Sequence, residues 1–135
     1  MCEFLLNDDE QIDNLFLKDL KIIQKKGCFR YGTDAVVLSD FAAKYIKKGA
    51  NVLDIGTGTG ILPILLSAKT EAKNLTGLEI QEEMAELAKR SVEMNELAGS
   101  LTKDRISIIN GDIMKATEYF SSRCFDAIVT NPPYK

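Results

Sequence analysis

With 135 residues, 45% hydrophobic and 27% charged, the chain falls in the globular range and suits one compact domain. No apolar run approaches the roughly 20 residues of a membrane-spanning helix, and residues 1–6 are followed by Asp8, Asp9 and Glu10 where a secretory signal would carry an extended apolar core, so a cytoplasmic protein with no membrane partner is expected. The scattered Cys2, Cys28 and Cys124 and the absence of histidine argue against a bound metal and exclude a His-based triad within this chain.

The net charge of −3 argues mildly against a nucleic-acid partner, yet it averages two unlike segments. Residues 1–17 carry five acids and no base, and residues 18–48 carry eight Lys or Arg against three Asp. A basic stretch of that kind suits a phosphate-bearing partner or a solvated face. There is no repeat or linker, so 1–17 reads as an acidic lead and 18–135 as one continuous domain. Residues 20–24 suit a short strand. The pattern predicts a helix over 33–48, opened by Thr33 or Asp34, with Val36, Val37, Phe41, Ala42, Tyr45 and Ile46 along its body and Lys47, Lys48 and Gly49 at its close.

Beyond Gly49, β-rich runs alternate with helical patterns: strands over 51–55, 74–79, 105–110 and 125–130, and helices over 61–69 and 82–95. Met84, Leu87, Ala88 and Val92 share one face of the second of these helices. Residues 113–120 form a short helix in this reading. Such βαβαβ punctuation predicts a doubly wound α/β fold, a parallel sheet with helices on both faces.

The first strand runs into Asp54-Ile-Gly-Thr-Gly-Thr-Gly60, where Gly56, Gly58 and Gly60 are spaced two apart. A turn without Cβ atoms lets the backbone approach a ligand closely. The dinucleotide fingerprint is GxGxxG, whereas this is GxGxG with an acid before it, which suits a nicotinamide enzyme less well. Glu79 ends the next strand, from where its carboxylate can accept hydrogen bonds from both hydroxyls of a ribose, with Ile80 beside it. Asp112 follows the third strand and can hold an adenine amino group while Ile113 packs on the ring; an ordinary helix N-cap is the competing reading. Asp54, Glu79 and Asp112 thus stand at the carboxyl ends of successive strands, the rim where open α/β sheets bind ligands.

The fourth strand ends in Asn131-Pro132-Pro133-Tyr134. Consecutive prolines hold Asn131 and Pro132 in extended backbone, presenting a side-chain amide and a carbonyl. The exocyclic amine of adenine delocalises its lone pair into the ring, so it attacks a methyl group poorly unless acceptors hold its two N–H groups and favour a pyramidal nitrogen. Asn131 and the carbonyl of Pro132 are two such acceptors. Tyr134 offers a face for base stacking, worth about 1–3 kcal/mol per base in single-stranded complexes. No strong base is required, so the lack of histidine is no obstacle.

In these four motifs, in this order, the chain resembles the class I S-adenosylmethionine-dependent methyltransferases. That resemblance implies S-adenosyl-L-methionine as cofactor and the methylation of a planar amino nitrogen: adenine N6, cytosine N4, guanine N2 or the glutamine amide of release factors. The upstream run from Gln24 through Arg30 and Thr33 to Leu38 is similar to the N-terminal part of bacterial tRNA(Val) adenine N6-methyltransferases, which modify the adenine beside the anticodon, and the similarity covers about 18–135. It implies a tRNA partner and puts Arg30 and Thr33 near the methionine end of the cofactor. Release-factor methyltransferases carry a larger helical domain before the glycine turn than the about 50 residues present here. A domain of this family has seven strands, so the chain is expected to be its N-terminal part, with the C-terminal strands missing; a release-factor glutamine or rRNA amino methyltransferase and a non-catalytic cofactor-binding fragment are the alternative readings.

Overall fold

The computed structural model describes residues 6–26 and 33–131. Two sheets organise them. A hairpin of β1 (Glu10–Asn14) and β2 (Lys21–Lys25) precedes a four-stranded sheet made of β3 (Asn51–Ile55), β4 (Asn74–Glu79), β5 (Ile106–Asn110) and β6 (Ala127–Thr130). The larger sheet has the order β5-β4-β3-β6, and every pairing in it is parallel. Helices α1 (Thr33–Ala43), α2 (Ile61–Lys69) and α3 (Glu82–Leu97) flank it; a 3-10 turn at Ile113–Lys115 and α4 (Ala116–Tyr119) follow β5. The result is the Rossmann-like α/β arrangement that the alternating pattern predicts.

Parallel strands joined by helical crossovers must be apolar where helices cover them, and the central residues are: Val52, Leu53, Leu75 and Leu78 from the strands, Leu62, Ile64 and Leu66 from α2, and Ala85, Leu87 and Ala88 from α3 are all buried. Chain order advances from β3 to β4 to β5 and then returns to the other side of β3 as β6. In open α/β sheets, ligands bind beyond the carboxyl ends of the strands at such a reversal.

The hairpin is attached by α3. Asn95 accepts from the Lys21 N–H at 2.9 Å and donates to the Lys21 carbonyl at 2.8 Å, and the Ser91 hydroxyl accepts from the Ile23 N–H at 2.9 Å. Two polar side chains of a helix thereby supply what a neighbouring strand would supply to β2. Arg90 adds an ion pair with Glu10 at 2.8 Å, where Glu10 is buried. Strand β1 lies within the 1–17 segment, which shows no strand pattern in the sequence, since Ile12 is its only apolar residue.

Helix α1 ends at Ala43, earlier than the 33–48 expectation. The Lys44 N–H reaches the Phe41 carbonyl and the Tyr45 N–H reaches the Ala42 carbonyl, the i→i+3 bonds that tighten a helix end, and Gly49 then turns the chain at a φ of 81°. Ala35, Ser39, Ala42 and Ile46 face inward, leaving Val37, Phe41 and Tyr45 exposed. Helix α2 tolerates Pro63 because its first turn needs no such N–H, and its far end is held by Arg105, whose guanidinium donates to the carbonyls of Ser67, Thr70 and Ala72 at 2.7, 2.9 and 3.0 Å.

Candidate functional site: the carboxyl rim of the sheet

The turn after β3 holds Gly56, Gly58 and Gly60 at φ values of 74°, 57° and 84°, a left-handed region costly for any residue with a Cβ. Its backbone is pinned from β4: the Gly56 and Thr57 N–H groups both donate to the Leu78 carbonyl, at 2.8 and 3.0 Å. A Cβ on Gly60 would stand 3.2 Å from that of Ala88, so this glycine also lets α2 approach α3.

Glu79 sits across the rim from the glycine turn and is buried. One carboxylate oxygen accepts from the Gly58 N–H at 2.8 Å and the other from the Gln81 N–H at 3.0 Å. Each oxygen has a further lone pair, so the group can organise the turn and still receive hydroxyl donors. Ile80, the next residue, is exposed on the rim.

Asp54 is only 2% exposed, and neither carboxylate oxygen has a hydrogen-bond partner among the described residues. Burial pushes its carboxyl up to about 7, the Thr57 hydroxyl nearby pulling down and the Glu79 charge adding to the rise. The Thr57 hydroxyl is likewise buried without a partner in hydrogen-bond geometry. Buried polar atoms left open beside a glycine turn can receive a polar ligand.

Asp112 follows β5. Its Oδ1 accepts from the Met114 N–H at 2.9 Å, so it does cap the 3-10 turn as the competing reading had it, while Oδ2 has no protein donor among the described residues. Ile113 beside it is partly exposed. On the opposite side of β3, the Thr130 hydroxyl donates to the Ile55 carbonyl at 2.8 Å, tying the end of β6 to the glycine turn. Ile55 pairs with Thr130 in the ladder, which sets Asn131, half-buried, level with Gly56. Asp54, the glycines, Glu79, Asp112 and Asn131 therefore share one rim. Thr33 opens α1, and its side chain, with Arg30, Pro132, Pro133 and Tyr134, lies outside the described residues. Three residues that no motif marks also stand here, Gly77, Asn110 and Tyr119, all acting through contacts that no local pattern records. No helix among the described residues is long and apolar enough to cross a membrane.

Solved structures of S-adenosylmethionine-dependent methyltransferases share this fold. The chain is similar to the Pyrococcus abyssi tRNA (uracil-54, C5)-methyltransferase solved with S-adenosyl-L-homocysteine (TM-score 0.65, 21% identity, 95% of this chain and 29% of that one). It is similar also to a SAM-dependent methyltransferase from Agrobacterium tumefaciens (TM-score 0.69, 18% identity, 96% and 41%). Residues 19–135 match the family model described as the methyltransferase small domain, and the chain belongs to that family. Among curated relatives, the tRNA1(Val) (adenine(37)-N6)-methyltransferase of Bacteroides thetaiotaomicron is 36% identical over 118 residues, 87% of this chain and 46% of its own length. The protein of the same name from Tolumonas auensis is 33% identical over 119 residues, covering 87% and 45%. The chain thus spans a little under half the length of the curated relatives it matches.

Proposed function

We propose that the rim binds S-adenosyl-L-methionine and that the protein methylates the N6 amino group of an adenine in tRNA, in the cytoplasm. The observation that carries this reading is the Thr130–Ile55 hydrogen bond, which ties the end of β6 to the glycine turn and supports Asn131 as an amino-group acceptor next to the cofactor. The cofactor fits: the cradle admits close backbone approach, and Asp54 leaves buried oxygens open. When bound, it supplies an electrophilic methyl group on a sulfonium.

The chain's own residues do the rest. Gly56, Gly58 and Gly60 give the cofactor room against the backbone, Asp54 faces its methionine end together with Arg30 and Thr33, which the family resemblance assigns there, and Glu79 receives the ribose hydroxyls. Ile80 and Ile113 bracket the adenine ring, with Asp112 on its amino group. The Asn131 amide oxygen and the Pro132 carbonyl accept the two N–H groups of the target adenine, Pro133 stiffens the turn and Tyr134 stacks on the base. The names of the curated relatives support tRNA over a release-factor glutamine or an rRNA amino group as substrate. We read residues 18–135 as the N-terminal part of the methyltransferase domain, preceded by the acidic 1–17.

Incubation with labelled S-adenosyl-L-methionine and undermethylated tRNA tests the reading. N6-methyladenine formation that Asn131→Ala abolishes, with cofactor affinity retained, is the expected result. Cofactor binding without any transfer would leave a cofactor-binding module, and full activity of Asn131→Ala would remove Asn131 from its role.

A further inference from the structure

We infer that Asn110 and Tyr119 are positioning residues that set the width of the base-binding notch, and through it the preference for adenine over other bases in the cofactor; this rests on the cofactor reading of the rim. The backbone ladder between β4 and β5 ends at the pair Glu79–Asn110. The two strands then pass into the segments that carry Ile80 on one side and Asp112 and Ile113 on the other. Asn110 carries the ladder one residue further with its side chain: its amide nitrogen donates to the Glu79 carbonyl at 2.9 Å and to the Ile80 carbonyl at 3.1 Å. The Glu79 carbonyl already receives the Gly111 N–H at 2.9 Å, so the Asn110 side chain is not needed to satisfy it. What the amide adds is a fixed distance between the two loops.

Tyr119 braces the second loop from behind. Its ring occupies the place of a Gly111 side chain, since a Cβ there would fall 2.6 Å from the ring carbon Cζ, and its hydroxyl accepts from the Asp112 N–H at 3.3 Å. An edge-on contact with Phe120 at 6.0 Å, and of Phe120 with Phe125 at 4.9 Å, holds the ring in place. Asn110 itself is exposed, and an exposed hydrogen bond adds little to folding stability, so its consequence falls on geometry. A notch that recognises a base through an amino-group acceptor and two apolar walls loses selectivity when the walls drift apart by a fraction of an ångström.

The test is the ratio of dissociation constants for S-adenosyl-L-homocysteine and S-inosyl-L-homocysteine, by calorimetry on the whole chain, for Asn110→Ala, the near-isosteric Asn110→Asp, Asn110→Ser and Tyr119→Phe. The inference predicts that Asn110→Ala and Asn110→Asp weaken the adenine compound about tenfold while the inosine compound changes less, so the preference falls. Asn110→Ser, which keeps one donor, lies in between, and Tyr119→Phe shows the smaller loss of one hydrogen bond, all with unchanged melting temperature. An unaltered preference, or equal loss for both compounds, would overturn the inference while leaving the cofactor site standing. A wild-type chain that binds neither compound would overturn both.

Discussion

Asp54 carries the largest electrostatic consequence of any single residue on the rim. Its carboxyl is raised to about 7 from an ordinary 3.8, chiefly by burial. Below pH 4 both folded and unfolded chains hold the proton and the group is neutral in the balance. As pH rises through the unfolded value the unfolded chain ionises first, so a stability penalty builds up to about pH 7 and then stays constant, a few kcal/mol at most. Asp54→Asn should therefore raise the melting temperature of the ligand-free chain at pH 8 and leave it nearly unchanged at pH 4, while weakening cofactor binding; equal effects at both pH values would contradict the shift. Gly77, paired with Asp54 across the ladder, makes a second case. A Cβ on it would meet Thr57 at 2.7 to 2.9 Å, closer than real contacts allow. Gly77→Ala should push Thr57 and the glycine turn outward, lowering cofactor affinity about tenfold or more, and Thr57→Gly in the same chain should restore part of it, as a titration of the single and double variants would show. Asp54, the three glycines and Glu79 are legible in the sequence because the turn needs those residue types in that order. Gly77, Asn110 and Tyr119 are not, since their parts depend on which distant atom meets them.

At the scale of elements, the hairpin and α3 stand or fall together. Asn95 satisfies both backbone groups of Lys21 from within the buried interface, so Asn95→Ala should destabilise the fold by about 2–4 kcal/mol, read as a lower urea midpoint. The Arg90 guanidinium, by hydrogen bonding first and charge second, holds Glu10 below its usual value of 4.5 against the opposing effect of burial. That contribution is fully present above about pH 4.5 and is lost as pH falls through the lower folded value. Glu10→Gln should make acid unfolding less steep there, and a superimposable acid transition would show the pair to be inert. Strands β3 to β6 were legible because buried parallel strands need apolar runs bounded by turns. Strand β1 was not, because Glu10, Gln11, Asp13 and Asn14 are held extended by β2 and Arg90 and by no propensity of their own. The excess length expected of α1 has a similar cause: Tyr45 and Ile46 keep helical spacing, but only Ile46 turns inward after the helix has closed.

For the whole molecule, the carboxyl rim and the β6 edge of the sheet play different parts. The carboxyl rim gathers the proposed site, and β6 forms one edge of the described sheet, with Ile128 60% exposed beside the uncovered Phe41 of α1 and Tyr45 just past its end. An apolar edge left unpaired among the described residues invites association, so the 135-residue chain should sediment with a concentration-dependent mass that Ile128→Lys reduces; a monomer at all concentrations would contradict this. The central claim, that the rim is a cofactor site, is tested most directly by titrating S-adenosyl-L-methionine into the chain in a calorimeter, alongside Glu79→Ala. Saturable one-site binding, weakened at least about tenfold in the variant, is the predicted result, and no binding by the wild-type chain, or equal binding by both, would contradict it.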